Sequence, residues 1–198
     1  MANVQTRWFF APGSSRSRAT VALVIACGFW MLQPLAPCRA AQSPDTLREN
    51  QLRAGYLLNF AKFVEWPALG ATELLTVCFV GGTGIRDSFT TGAGKQIGTH
   101  SFVTRTLSAR ASPQGCQVLY VEAAAPFSRE YTSVAAVNPA LLTVGDGEDF
   151  LHAGGIVELF ADSNRLRFNV NLDNARRAGL RISSSLLQLA SHVEGAGQ

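Results

Sequence analysis

The chain has 198 residues, of which 47% are hydrophobic and 16% charged. This length predicts one domain or two very small ones, and the composition excludes a disordered tail. The sequence shows no repeat or heptad, which excludes a collagen-like chain and a coiled coil. The formal charge of +3 is unevenly spread, because four arginines and no acidic residue lie in the first 40 positions. The remainder has 13 basic side chains and 14 acidic ones, so the positive net charge of the whole chain does not indicate a nucleic-acid partner.

The first forty residues have the features of an export signal. A charge-free stretch runs from Ala19 to Cys38, after two arginines, and two prolines near its end exclude a long helix. We expect residues 1–41 to form a cleaved Sec-type signal peptide, cut near Ala40 or Ala41. Residues 42–198 then form a single exported domain. An uncleaved membrane anchor and a lipid-modified cysteine are the alternatives.

Two of the four cysteines, Cys78 and Cys116, lie outside the presumed signal peptide. An even count in an oxidising compartment predicts that they form a disulfide, with two buried free thiols as the alternative. They lack the paired spacing of a zinc site, and we expect no metal.

Strands alternate with helices along the rest of the chain. The first expected elements are a helix from Asp45 (its N-cap) to Trp66, strands at Leu74–Val80 and Gln96–Leu107 (with a bend at Gly98), a short helix at Ile85–Thr91 and a strand at Cys116–Glu122. The later ones are a helix at Phe127–Val137, a strand at Ala140–Val144, a hairpin of Ile156–Ala161 with Arg165–Asn171, a helix at Leu172–Ala178 and a last helix from the Ser183–Ser185 cap to His192. This order predicts an α/β layered sandwich, in which helices flank a mixed sheet that ends in an antiparallel hairpin and a C-terminal helix.

The first helix carries a broad apolar stripe. The stripe consists of Leu57, Phe60, Ala61 and Val64, widened by Tyr56, Leu58 and Phe63. A helix of this kind is buried on most sides or packs against a partner, and burial in the core is the simpler interpretation.

The glycine-rich segment Gly82-x-Gly84-x-x-Asp87 follows a strand and opens a helix, as a nucleotide loop would. It lacks the third glycine and the acidic residue about 20 positions later, so a plain turn is the better interpretation. Asp146, Glu148, Asp149 and His152 could hold a cation, but acidic side chains also favour a helix N-terminus.

The remaining candidates for catalysis are serines and histidines. Ser183, Ser184 and Ser185 do not lie in the Gly-x-Ser-x-Gly pattern of a hydrolase nucleophile. The spacing of His100, His152 and His192 supports no catalytic triad. We therefore expect neither an enzyme nor a bound cofactor. A local excess of arginine predicts either a solvated face or a patch for an anion or an acidic partner, and its members are Arg165, Arg167, Arg176, Arg177 and Arg181.

Several segments, taken together and in order, resemble one family. They are Ala54–Pro67 (AGYLLNFAKFVEWP), Cys78–Gly81, Cys116–Val121, Phe150 with Gly154–Val157, Arg167–Asn171 and Ala178–Ser184 with Leu186–Ala190. The set resembles the YfiR family of periplasmic proteins over about Leu52 to Val193.

The resemblance implies a periplasmic repressor that binds the sensor domain of an inner-membrane diguanylate cyclase and lowers cyclic di-GMP and biofilm formation. It also implies a homodimer, release by an outer-membrane lipoprotein, and a disulfide at the positions of Cys78 and Cys116. Some members carry a second cysteine pair around Phe150–Gly155, where this chain has none. The candidate partner-contact residues are Arg165, Arg167, Asn169, Asn171, Arg176 and Arg177. The alternative function is a periplasmic module that senses or binds a small solute.

Overall fold

The structure is a computed structural model that describes residues 43–67, 74–92, 96–108, 111–125, 128–135, 138–163 and 165–195. These residues belong to one compact unit, Gln42–Gln198. The expected signal peptide lies outside the described residues. Within them, none of the helices has the length and apolar character that a membrane span requires.

The described residues form ten strands and five helices. The strands are β1 (Val64–Glu65), β2 (Leu75–Val80), β3 (Gln96–Ile97), β4 (His100–Thr106), β5 (Val118–Val121), β6 (Leu142–Gly145), β7 (Val157–Asp162), β8 (Arg165–Asn171), β9 (Arg181–Ile182) and β10 (His192–Glu194). The helices are α1 (Pro44–Phe63), α2 (Thr83–Gly92), α3 (Ser128–Ala135), α4 (Leu172–Arg177) and α5 (Ser184–Leu187).

Eight strands make one mixed sheet in the order β10-β8-β7-β6-β5-β2-β4-β3. The five strands from β7 to β4 run parallel, β7 and β8 form an antiparallel hairpin, and β10 lies parallel to β8. The chain enters the sheet at β2 and winds in both directions from it, as in doubly wound α/β folds. The predicted α/β sandwich with its hairpin is confirmed.

The larger core lies on the side of the sheet that carries α1 and α2. Leu57 and Phe60 of α1 are fully buried, and the Phe60 ring meets Phe168 of β8 edge-on at 4.9 Å between centroids. The Tyr56 hydroxyl donates a hydrogen bond to the Leu166 carbonyl at 2.9 Å. The apolar stripe of α1 therefore packs on the sheet, as the simpler interpretation predicted.

The second core lies on the opposite side of the sheet, under α3 and the segment that holds Phe150 and Leu151. Cys78 of β2 and Cys116, which precedes β5, belong to it and are joined by a disulfide. The disulfide predicted from the cysteine count is thus present.

The predicted bounds of the first helix are wrong at both ends. Ser43, not Asp45, is the N-cap, and its hydroxyl accepts a hydrogen bond from the Thr46 amide at 3.2 Å. Pro44 takes the first helical position, where its missing N–H costs nothing. The helix ends at Phe63, because the next two residues pair with β9 as β1.

Two other elements also differ from the prediction. The single strand expected at Gln96–Leu107 is a hairpin of β3 and β4, with Gly98 at φ +61° in its turn. The expected last helix stops after one turn at Leu187, and His192–Glu194 forms β10 instead. The edge of β8 offers backbone partners to β10, and no local sequence pattern signals that pairing.

Candidate functional site

One face of β7, β8 and β10 carries mainly polar side chains, whereas the same face of β2 and β5 is buried in the second core. We call this surface the open face. Every side chain on it is exposed or half-buried. It consists of Glu158, Phe160, Asp162, Arg165, Arg167, Asn169, Asn171, His192 and Glu194.

Hydrogen bonds between neighbouring strands order the open face. The Arg167 guanidinium lies 2.9 Å from the Asp162 carboxylate. The Asn169 amide donates to Glu158 at 3.1 Å, and the Asn171 amide donates to Glu194 at 2.5 Å. Arg165 makes no ion pair within the described part of the chain. The surface thus holds fixed charges of both signs, and Arg165 at the end of the hairpin has no ion-pair partner among the described residues.

The six predicted partner-contact residues lie in two places. Arg165, Arg167, Asn169 and Asn171 are alternate residues of β8 and share the open face. Arg176 and Arg177 lie on α4. The Arg176 guanidinium contacts the Asp173 carboxylate at 3.1 Å and donates to the Gly195 carbonyl, and Arg177 donates to the Asn174 side-chain oxygen.

A recess of about 310 Å³ marks the border of the open face toward the turn at Glu148–His152. Its polar lining residues are Glu148, Asp149, His152, Glu158, Asn169, His192 and Glu194. The structure describes turns from Glu148 to Gly154, so the expected helix N-terminus is wrong. Nowhere in the described chain do three histidine, cysteine, aspartate or glutamate side chains come close enough to hold a metal.

The serines and histidines considered for catalysis are dispersed. The Ser183 hydroxyl caps α5 by accepting from the Leu186 amide at 3.3 Å. His152 and His192 line the acidic recess, whereas His100 belongs to β4 near the opposite edge of the sheet.

The carboxyl edge of the parallel strands is the usual ligand position in doubly wound folds. Here the chain's own groups occupy it. Gly81 and Gly82 have φ values of +72° and +56°, and the Glu122 carboxylate accepts a hydrogen bond from the Gly82 amide at 2.7 Å. A phosphate would have to displace this carboxylate, so the geometry favours the plain turn over a nucleotide loop.

A partly buried ion pair holds α1 at the same edge. The Arg53 guanidinium lies 2.7 Å from the Asp146 carboxylate, which also accepts from the Tyr120 hydroxyl at 3.1 Å and the Ala123 amide at 2.7 Å. Burial, followed by the charge of Asp146, raises the pKa of Tyr120 above its ordinary value. Burial lowers the pKa of Arg53, but its hydrogen bond to Glu49 and the nearby acidic groups raise it overall. Sequence analysis missed this pair because Arg53 and Asp146 lie 93 positions apart.

A second recess of about 540 Å³ lies beside the carboxyl ends of β5 and β6. Its lining combines a cation, two carboxylates, two hydroxyls and an imidazole with an apolar wall. These side chains belong to Ser128, Arg129, Thr132, Glu148, Asp149, His152, Val121 and Phe150.

Comparison with known proteins identifies one family. The family model described as YfiR/HmsC-like matches residues 50–191. No curated protein matches the sequence significantly. Among solved structures, a conserved domain protein from Vibrio cholerae O1 biovar El Tor is similar, with 12% identity and a TM-score of 0.47. The match covers 73% of this chain and 60% of that one, so this chain spans less than two thirds of its length.

Proposed function

Because the chain belongs to the YfiR/HmsC-like family, we propose that it is a periplasmic regulator of an inner-membrane diguanylate cyclase. It binds the periplasmic domain of the cyclase, holds the enzyme in its inactive arrangement and thereby lowers cyclic di-GMP. The observation that carries this proposal is the family match, which spans nearly the whole described domain.

Repression by binding requires a difference in affinity. A regulator shifts a two-state partner only if it binds the inactive state more tightly than the active one. A shift from 1:99 to 99:1 requires a difference of about 10⁴-fold in affinity. A broad protein surface with fixed charges can supply this discrimination by matching one arrangement of the partner and repelling another.

The open face has the features that such a contact needs. Its side chains are ordered by cross-strand hydrogen bonds, so little conformational entropy is lost when a partner binds. Arg165 offers an unpaired cation within the described residues, and the recess beside His192 offers carboxylates. We place the cyclase contact here.

Affinity capture tests both parts of the proposal. The exported, tagged chain is cross-linked in cells, recovered from solubilised membranes, and its partners are identified by mass spectrometry. We expect a membrane protein with a diguanylate cyclase domain. Arg165→Glu reverses the charge at this position and should reduce capture about tenfold. Arg48→Glu makes the same change at a side chain that is 81% exposed on α1, and it should leave capture unchanged.

The outcomes separate the two parts. Recovery of no cyclase from cells that express one contradicts the regulatory proposal. Equal capture by both variants leaves that proposal in place and contradicts the assignment of the contact to the open face.

A second candidate function is the binding of a small solute. The 540 Å³ recess favours it, because Arg129 and the carboxylates of Glu148 and Asp149 can contact a ligand that carries both charges. A thermal-shift screen tests it, since a ligand at 100 times its Kd adds about 2.7 kcal/mol to the free energy of unfolding. Shifts that Arg129→Ala abolishes would support this site, and the absence of any shift would count against it.

A further inference from the structure

An arginine side chain lies against the disulfide. Arg105 of β4 pairs with Cys78 of β2 in the register of these parallel strands, so the two side chains share one face of the sheet. One guanidinium nitrogen of Arg105 donates to the Sγ atom of Cys116 at 3.0 Å and to the Gln114 carbonyl at 2.8 Å. The Cys116 sulfur therefore has a positive charge at hydrogen-bond distance.

This positive charge has no carboxylate beside it in the part of the chain that the structure describes. None of the ion pairs there includes Arg105, and the two acceptors of its guanidinium are an uncharged carbonyl and an uncharged sulfur. If the disulfide opens, a thiolate at Cys116 gives the guanidinium a counter-ion at contact distance. A neighbouring arginine favours the thiolate form of a cysteine over the thiol.

The two sulfur atoms of the disulfide have different surroundings. Cys78 lies in β2, between β4 and β5, and is fully buried in the second core. Apolar surroundings of this kind favour the neutral thiol. Cys116 lies outside the strands, directly after a turn in which its amide donates to the Pro113 carbonyl at 3.1 Å. The open form of this bond therefore combines a thiolate at Cys116 with a thiol at Cys78.

We propose that Arg105 keeps Cys116 as a thiolate whenever the disulfide is open, and that Cys116 is the sulfur that exchanges with an outside disulfide when the bond closes. The oxidant belongs to the chemical class of disulfides, of which glutathione disulfide is the simplest probe. Arg105 is a positioning residue in this step, because it stabilises the anion and does not itself react. This inference does not depend on the proposed role in cyclase regulation.

The exchange has two steps. The Cys116 thiolate attacks one sulfur of the outside disulfide, the other sulfur leaves as a thiolate, and a mixed disulfide remains on Cys116. The Cys78 thiol then gives its proton to the departed thiolate and attacks the Sγ atom of Cys116, which releases the second half of the oxidant as a thiolate. The chain loses two electrons, and the oxidant becomes one thiol and one thiolate.

Ultraviolet absorbance of the thiolate tests the role of Arg105. In the exported chain, Cys78→Val leaves Cys116 without its partner and fills the vacated space with an apolar side chain. An ordinary cysteine is only a few per cent thiolate at pH 7, and we expect several-fold more in this variant. Adding Arg105→Gln should lower the thiolate fraction about fivefold, whereas Arg105→Lys should keep most of it, because lysine retains the charge. Arg48→Gln removes an arginine that is 81% exposed on α1, and this matched control should leave the fraction unchanged.

Mass spectrometry of the reduced wild-type chain identifies the sulfur that exchanges. The chain is reduced, freed of the reductant, mixed with glutathione disulfide and quenched with acid. Glutathione should be found on Cys116 several-fold more often than on Cys78, and Arg105→Gln should slow closure of the bond about fivefold at pH 7. Circular dichroism verifies that each chain is folded, with trimethylamine N-oxide added where the open disulfide requires it.

Three results would overturn the proposal. The first is a thiolate fraction in folded Cys78→Val that Arg105→Gln does not lower, or that Arg105→Lys lowers equally. The second is glutathione mainly on Cys78. The third is a reduced wild-type chain that stays unfolded even with trimethylamine N-oxide, since Cys116 would then not lie at Arg105.

Discussion

At the scale of single residues, the packing of Phe150 depends on the absence of two side chains. Its ring lies between Gly145 and Gly155, where an added Cβ would come within 2.3 and 2.2 Å of ring atoms. Contacts this short force the ring or the backbone to move. Phe150 belongs to the second core, so the movement would disturb the turn that borders the open face.

Gly155→Ala should therefore lower the free energy of unfolding by about 1–3 kcal/mol, the usual cost of overpacking a core. Urea denaturation measures this change. Gly55→Ala is the matched control, because an added Cβ at that position of α1 meets no atom within 4 Å. It should raise stability by about 0.5–1 kcal/mol, since glycine is a poor helix former. Equal effects of the two substitutions would contradict this description of the packing.

Tyr120 makes stability sensitive to alkaline pH. Burial and the charge of Asp146 raise its pKa in the folded state, whereas an unfolded tyrosine ionises near pH 10. Above about pH 10 only the unfolded chain loses this proton, so this group contributes about 1.4 kcal/mol less stability for each pH unit. Tyr120→Phe should remove that slope and cost about 1 kcal/mol at neutral pH through its hydrogen bond to Asp146. Parallel pH profiles of the two proteins would contradict the assignment.

At the scale of elements, the disulfide joins neighbouring parts of the sheet. Cys78 lies in the middle of β2 and is fully buried, and Cys116 leads into the adjacent β5. The bond closes a loop with a sequence separation of 38, which includes α2, β3 and β4. Without this bond, the unfolded chain gains the conformational entropy of the whole segment.

Cys78→Ala/Cys116→Ala should lower the free energy of unfolding by about 4 kcal/mol in the chain-entropy model. Denaturation of the wild-type chain with and without a reductant should give a similar difference in the free energy of unfolding, because the reductant breaks the same bond without replacing either side chain. Hydrogen exchange should rise across β2 and β5. A variant whose denaturation midpoint equals that of the oxidised wild type would contradict this role.

The elements that sequence analysis predicted are those with a strong local signal. The sequence predicts strands at Leu74–Val80, Cys116–Glu122 and Ala140–Val144, where the structure has β2, β5 and β6. It also predicts the hairpin that β7 and β8 form. Gly98 predicted a bend but not the hairpin of β3 and β4, because a glycine marks a turn without giving its angle. β10 has three residues and is a strand because it pairs with β8. No periodicity of apolar residues in the sequence predicts that contact.

At the scale of the whole molecule, some residues of the candidate site were indicated by the sequence, and others are brought to it only by the fold. Four of its residues, all on β8, are among the predicted partner-contact residues, whereas His192 and Glu194 join them only because β10 folds back onto that strand. Arg176 and Arg177 belong to the same run of sequence but lie on α4. Sequence analysis thus named four of the nine residues of the open face, and the pairing of β7 and β10 with β8 supplied the other five.

The most direct test of the regulatory proposal is the cellular level of cyclic di-GMP. It is measured in a strain that lacks this protein, in the parent, and in the deletion strain that expresses either the exported chain or a chain without residues 1–41. We predict a rise on deletion that the exported chain reverses and the chain without the leader does not. Equal cyclic di-GMP in all four strains would contradict the account.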